Sequence, residues 1–346
     1  MNKKFILKCL ALASISFFVS CHRENPANPD DDNNTSATTH VYVAGNTGYT
    51  FNAGPAVCWE DGIQHVLDPD AFETARAACV IGNDVYYGGC NANEQPVIWK
   101  NGVAQKMSEG NGRVSGLTTA NGKLYACGTV DQKPVYWVDG QIHYLDEDPS
   151  ASSDYTTTAI TVSGGNIYVS GYLGNEYNSA KGAYLWKNGS LQKLSTKASK
   201  ACDVCVYNNT VYVVGSESYT SGGIQKSVMW VNGAIRDIQV TTNNGLDSEA
   251  SAVAIKNGKP YVVLKGFVGG AYDGYWKGFA WYDETVTALP NCSNPTDVFI
   301  HNNDIYIAGY NDSFTSYEGP VLLKNLEFVP LTNSANDGHC YSVYVK

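Results

Sequence analysis

Positive charge is scarce in this chain of 346 residues. Its 23 Lys and Arg stand against 33 Asp and Glu, for a formal net charge of −10, and charged residues of both signs make up only 16% of it. That balance excludes nucleic acid and an anionic membrane surface as partners, because both need a basic face. No stretch carries apolar residues at i, i+3, i+4 and i+7, which excludes a helical domain. The one long hydrophobic run, "CLALASISFFVS" at residues 9–20, falls short of the roughly 20 residues a transmembrane helix needs. Catalytic signatures are missing too: there is no Gly-x-Ser-x-Gly elbow, no His-Glu-x-x-His and no phosphate loop. Asn121-Gly122-Lys123 and Asn257-Gly258-Lys259 read as hairpin turns. No cofactor and no catalytic residue is assigned.

The N-terminus has the form of a targeting segment. Lys3, Lys4 and Lys8 form a basic region ahead of the short apolar run. Ser20-Cys21 at its end resembles the lipobox of bacterial lipoproteins, with Phe18 where Leu is usual. The resemblance implies a signal peptide over 1–20 and lipidation of Cys21. Losing the three lysines takes the charge from −10 to −13. Residues 21–39 are polar and rich in Pro and Asn, as in a disordered tether. Their run Asp30-Asp31-Asp32 resembles the acidic export signal of surface lipoproteins in Bacteroidetes. The resemblance implies an outer-membrane address, facing the cell exterior if the acidic run acts as that signal, with the lipid as sole membrane contact.

Eight cysteines follow Cys21, several inside strand patterns where a small apolar residue would serve. Buried free thiols are expected for most of them. Cys202-x-x-Cys205 has the spacing of a zinc pair but lacks a second pair nearby. It also lies on a strand, where residues three apart face opposite ways, so no metal is assigned. His339 beside Cys340 is the closest Cys–His approach in sequence, and adjacency alone makes no dyad.

What the chain does contain is a repeat. An apolar strand, an Asn/Gly/Asp turn and a Tyr-bearing strand recur as "CVIGNDVYYGG" (79–89), "TTANGKLYACG" (118–128), "TVSGGNIYVSG" (161–171), "CVYNNTVYVVG" (205–215), "AIKNGKPYVVL" (254–264) and "FIHNNDIYIAG" (299–309). Trp, two residues and then Gly follows at Trp59, Trp99, Trp137, Trp186 and Trp230, with degenerate copies at Trp281 and Leu323. Tyr42, Tyr86, Tyr125, Tyr168, Tyr212, Tyr261 and Tyr306 recur with a mean step of 44 residues, as do the positions from Trp59 to Leu323. Asn-Gly and Asp-Gly between apolar runs mark type I′ hairpins. Each copy therefore holds two hairpins, four strands A to D, which is the signature of a propeller blade. The first copy opens on strand B, "HVYVAG" (40–45), and the final "CYSVYVK" (340–346) aligns with strand A of the others. The expectation is an all-β, seven-bladed β-propeller over 40–346, with the C-terminal strand closing blade one. That architecture resembles the WD40 and kelch propellers, although the Gly-His and Trp-Asp signatures are not repeated. Together with the leader, the chain looks like the propeller lipoproteins of Bacteroidetes, a resemblance that carries no chemistry onto particular residues.

A residue that recurs at one blade position does the same packing job seven times, so function belongs where the copies differ. The A–B and C–D turns are short, whereas the B–C and D–A connections vary in length and emerge together on one face. Those connections are rich in Tyr, Ser, Gly and Asn, the composition of recognition surfaces. Tyr49, Phe51, Tyr177, Tyr219, Tyr272, Trp276, Phe314 and Tyr317 are the candidate ligand-binding residues, with Tyr155, Tyr172, Phe267 and Tyr275 beside them. Residues 266–280 are read as the longest insertion. The expected partner is a glycan or protein ligand on this face, bound by a monomer.

Two alternatives remain. One is a carbohydrate-active enzyme using loop acids: Asp68, Asp70 and Glu73 in one connection, Asp146, Glu147, Asp148 and Asp154 in another, or Asp203 and Asp297 at the channel mouth. Such chemistry needs two carboxylates roughly 5–9.5 Å apart. The sialidase box Ser-x-Asp-x-Gly-x-x-Trp is absent. The other is a scaffold subunit of an outer-membrane complex. The address is testable directly. Cys21→Ala should shift the protein from the membrane fraction to the soluble one, and undiminished membrane association would refute lipidation at this residue.

Overall fold

The computed structural model describes residues 38–48, 54–69, 74–150, 154–174, 181–218, 225–240, 247–269, 274–312, 319–332 and 338–346. The chain forms seven antiparallel sheets of four strands each. Six blades run A to D in chain order. In blade one, Gly338–Val345 supplies strand A beside Val41–Thr47, followed by Ala56–Glu60 and Ile63–Asp68. Val343 pairs with Val43 and Cys340 with Gly45, so the two ends of the chain close the ring within one sheet. The remaining inner strands are Ala77–Ile81, Gly112–Ala120, Tyr155–Ser163, Ser199–Tyr207, Ser248–Lys256 and Asn294–His301.

The C–D turns explain the Trp-x-Asn/Asp-Gly repeat. Asp61, Asn101, Asp139, Asn188, Asn232, Asp283 and Asn325 have φ of 48–52°, and the residue after each is also positive, as a type I′ turn requires. Asn and Asp tolerate this region through local side-chain hydrogen bonds. In six blades the same oxygen also accepts the N–H at the start of strand B. Asn101 Oδ1 takes Val85 N at 2.8 Å, Asn188 takes Ile167 N at 2.8 Å and Asn325 takes Ile305 N at 2.9 Å; Asp61, Asp139 and Asn232 do likewise.

Six tryptophans, each at most 3% exposed, and Leu323 in their place in blade seven, fill the middle of the C strands. Opposite them strand B ends in Gly. A Cβ on Gly45 would lie 2.1 Å from His339 O and 2.8 Å from the Trp59 ring; one on Gly128 would lie 2.0 Å from Arg113 O and 2.8 Å from Trp137. Blade six departs here, with Leu264 paired to Ala250. Trp186 Nε1 donates to Asp146 O at 2.7 Å, and Trp59 Nε1 to Thr332 O at 3.2 Å, so these two indoles hold the connection arriving from the preceding blade.

The core is distributed around the ring. Seven apolar clusters each join two neighbouring blades, including one that packs Val43, Trp59 and Val343 of blade one on Phe299, Tyr306 and Leu322 of blade seven. Each blade is thus stabilised by its neighbours alone, and ring closure supplies the last of the seven interfaces. Deleting residues 340–346 removes that strand and strips strand B of blade one of its pairing. Each buried unpaired group costs about 1–3 kcal/mol against a total stability of roughly 5–15. The truncated protein should be insoluble or lack a cooperative melt; an unchanged melting temperature would show that closure contributes nothing.

Candidate functional site

The seven inner strands line a central channel holding about 780 Å³ open to solvent. Its wall is built on one recurring irregularity. The A–B pairing skips one residue in blades three to seven and one: Ser115, Thr158, Cys202, Ser251, Thr296 and Tyr341 have no partner in the register. In blade two, Arg76 and Ala77 both face Gly88, which places Arg76 at the matching point. All seven of these residues line the channel. A bulge re-aims the local side chain and increases strand twist. Here it turns one residue per blade toward the axis, at a place where packing makes no demand on its chemistry.

The residue after the bulge is small in five blades and an aspartate in two. Asp203 accepts Val204 N and, from the next blade, Val253 N, both at 2.8 Å. Asp297 accepts Val298 N at 2.8 Å and Val343 N of blade one at 3.0 Å. Thr158 Oγ1 donates to Ala201 O at 3.0 Å and Thr296 Oγ1 to Cys340 O at 2.8 Å, again across a blade boundary. Asp203 and Asp297, expected as acids at the channel mouth, are instead buried fasteners between blades. A buried carboxylate is tolerated there because backbone N–H groups satisfy its oxygens.

Two residues before the bulge, on the same side of strand A and nearer the long-connection face, stand Thr74, Arg113, Thr156, Lys200, Glu249, Asn294 and His339. Here the blades diverge in charge. Glu249 of blade six lies 3.5 Å from Lys200 Nζ of blade five and 3.9 Å from Lys265 Nζ of its own blade. Lys200 Nζ sits 5.6 Å from the centroid of Tyr172, and Lys265 Nζ 5.2 Å from that of Trp276. Burial is the largest single influence and works against the Lys200 charge, but Glu249, Cys202 and Tyr172 together outweigh it and hold the ammonium above the ordinary lysine range. Trp276 meets Phe267 edge to face with centroids 5.6 Å apart. Strands B and C of blade six extend to support them: Lys259–Val268 and Tyr275–Tyr282 pair through Phe267 with Trp276 and Val268 with Tyr275. Much of the segment read as an insertion is therefore strand, because alternating aromatic residues make stable cross-strand pairs.

Blade two stands across the ring from the boundary of blades five and six. There Arg76 lies 5.2 Å from the Tyr341 ring centroid. Tyr341 Oη and His339 Nδ1 are 2.9 Å apart, and Tyr310 packs on His339 with centroids 3.9 Å apart. Burial pulls the His339 pKa down against an opposing pull from Asp312, with a smaller push from Arg76 in the same direction as burial, which favours the neutral imidazole.

Of the eight predicted aromatic contacts, Tyr49, Phe51, Tyr177, Tyr219, Tyr272, Phe314 and Tyr317 lie outside the described residues, as does Cys21. Trp276 is half-buried at the mouth, and Tyr275 beside it is 52% exposed. Tyr155 and Tyr172 turn inward and are buried. Among the loop acids, Asp148 accepts Ser150 N and Oγ and the Tyr184 hydroxyl, and these bonds hold its carboxyl down to about 2. Cys58, Cys79, Cys90, Cys127, Cys292 and Cys340 are buried free thiols, and Cys202 is a partly exposed one. No group of three or more His, Cys, Asp or Glu suited to a metal occurs among the described residues. Lys200, Glu249 and Lys265 were not foreseen. Part of the signal was there: Lys200 and Glu249 are charged residues at an inner-strand position that three other blades fill with Thr or Asn, whereas Lys265 lies on strand B.

Asp297→Ala should expose the latch. It leaves the N–H groups of Val298 and Val343 unpaired in a buried wall, at about 1–3 kcal/mol each. Denaturant melts should show a loss of that size, and a change under about 0.5 kcal/mol would assign closure to apolar packing alone.

No protein-family model and no curated protein matches the chain. Among solved structures it is similar to the β-propeller domain of the Trilobed protease from Pyrococcus furiosus, at 12% identity and TM-score 0.49 over 84% of this chain and 94% of that one. A protein from Lactobacillus plantarum matches at 11% identity and TM-score 0.45, over 89% and 99% of the two chains. The hydrazine synthase of Kuenenia stuttgartiensis matches at 12% and 0.49, over 89% of this chain and 46% of its own.

Proposed function

We propose that this protein is a lipid-anchored outer-membrane propeller that binds a ligand at the channel mouth on its long-connection face, and that the ligand is a glycan. The observation that carries the reading is the Trp276 site. A half-buried indole is braced by Phe267, flanked by the exposed Tyr275 and bordered by Lys265, Glu249 and Lys200 within one short stretch of surface. An aromatic face suits the apolar face of a pyranose ring, and the ammonium and carboxylate groups beside it suit its hydroxyls. The extended strands of blade six hold these groups in place, which lowers the cost of ordering them on binding.

A second reading, a scaffold subunit of an outer-membrane complex, has its own observation. Ile63, Val66, Val103, Tyr144, Ile235 and Phe328 lie exposed along the outermost strands, a rim that a partner protein could cover.

A glycan array probed with the propeller separates the two readings. Trp276→Ala should weaken binding to any glycan captured by at least about 1 kcal/mol, the threshold of a hot spot, with nearly unchanged melting temperature. Wild-type binding by this variant would place the site elsewhere, and an array without hits would favour the rim.

A further inference from the structure

We propose that the channel mouth selects acidic sugars: Lys200 and Lys265 together receive the carboxylate of a uronic acid unit whose ring lies against Trp276. The inference rests on the glycan reading above and names its ligand class.

The charge count at the mouth is uneven. Two ammonium groups share the single carboxylate of Glu249, at 3.5 and 3.9 Å. Close ammonium–carboxylate pairs sit nearer 2.7–2.9 Å, so both contacts are long, the nearer being the Lys200 Nζ hydrogen bond to Glu249 Oε2 at 3.5 Å, and an incoming carboxylate competes with them on even terms. Asp203, in the channel wall, has its carboxylate turned to backbone N–H groups. Burial pushes the Cys202 thiol up and keeps it neutral, so it adds no negative charge. Counted over Lys200, Lys265 and Glu249 alone, and leaving aside the charge that Asp203 keeps within its backbone hydrogen bonds, one positive charge is left over. It is held where each lysine side chain is only 28% exposed, and there an incoming anion is attracted more strongly than in open water.

The lysines are also positioned before any ligand arrives. Tyr172 lies under one and Trp276 under the other, at 5.6 and 5.2 Å, and cation–π contact of this kind fixes an otherwise mobile side chain. Lys200 belongs to blade five and Lys265 to blade six, so a carboxylate accepting from both would bridge two blades beside the Trp276 ring. In a chain of net charge −10, cations so placed stand against the field of the whole protein. That is the arrangement of a site that admits an anion by local contact and does not gather anions at long range.

The experiment uses the intact propeller with paired probes: oligogalacturonates and oligoglucuronates, and the same oligosaccharides with their carboxylates reduced to alcohols. Calorimetry should give at least about tenfold tighter binding to an acidic series than to its reduced partner, falling as salt rises. Lys200→Gln and Lys265→Gln should each remove most of that difference with a nearly unchanged melting temperature, any loss of affinity for the reduced sugars being much smaller than the loss for the acidic ones. Glu249→Gln should tighten acidic binding several-fold, because an internal competitor is gone. If the two forms bind equally and only Trp276→Ala weakens both, the glycan reading stands and the acidic selection is wrong. If Glu249→Gln abolishes binding, the carboxylate is the anchor and the assignment of the lysines falls. If neither form of either sugar binds, while the array captures neutral glycans, the selection again falls alone. If no glycan of any kind binds, both fall.

Discussion

Six of the seven blades depend on how closely strand A approaches a glycine within strand B, Leu264 standing in its place in blade six. At Gly45, Gly128 and Gly215 a single methyl would stand 1.9–2.1 Å from a carbonyl of the inner strand, well inside contact distance. In six blades the absence of a Cβ leaves room for strand A, which bulges inward in blade six as well with Leu264 at that place, and in four of the blades a tryptophan ring on strand C closes the other side of the gap. Glycine here weakens the strand by roughly 0.5–1 kcal/mol relative to Ala. The buried indole returns more, since burying a large side chain contributes about 1.5–3 kcal/mol. The Gly and Trp that mark each repeat are two halves of one contact, which is why they recur together.

The same bulge links fold to function. It frees one residue per blade to face the channel and sets the residues before it toward the mouth. Packing does not choose those side chains, so they vary: Arg76, Cys202 and Tyr341 at the bulge, and Lys200, Glu249 and His339 two residues earlier. Where variation does meet a structural need, its cause can be read directly. Asp203 and Asp297 fasten blade five to six and seven to one. In the other blades the equivalent place is taken by Ala, Gly or Ser.

The blade count, the strand order and the closing strand were legible because each rests on a pattern repeated seven times at one spacing. The alignment of Ser342-Val343 with Asp297-Val298 placed the last strand correctly, and both pairs follow a bulge. The bulge itself was not legible. One skipped residue inside a strand leaves the hairpin turns and the 44-residue step unchanged, and it shows only as a break in alternation. The site was legible in part. Trp276 stood out as a large aromatic residue in a variable segment, yet its neighbours did not. Lys200 and Lys265 are far apart in sequence and meet only because consecutive blades lie side by side. Of the loop acids, Asp148 is taken up by the turn it caps.

This division suggests how a propeller of this kind acquires a ligand without losing its fold. Apolar contacts between blades carry stability, and the strictly repeated residues belong to them. At the inner-strand positions ahead of the bulge Thr74, Thr156 and Asn294 are buried, whereas Lys200 and Glu249 are partly exposed, so exchanging a Thr or Asn there for Lys or Glu requires room toward the channel. Charge limits the exchange as well: a half-buried ammonium requires a partner. Glu249 supplies one for two lysines at once, and the rings of Tyr172 and Trp276 supply the rest. The unrepeated residues of blades five and six are thus mutually dependent. Losing Glu249 would leave two cations crowded together, and losing both lysines would leave a carboxylate with no counter-charge in a narrowing channel. That interdependence sets Lys200, Glu249 and Lys265 apart as one unit in a ring otherwise built from copies.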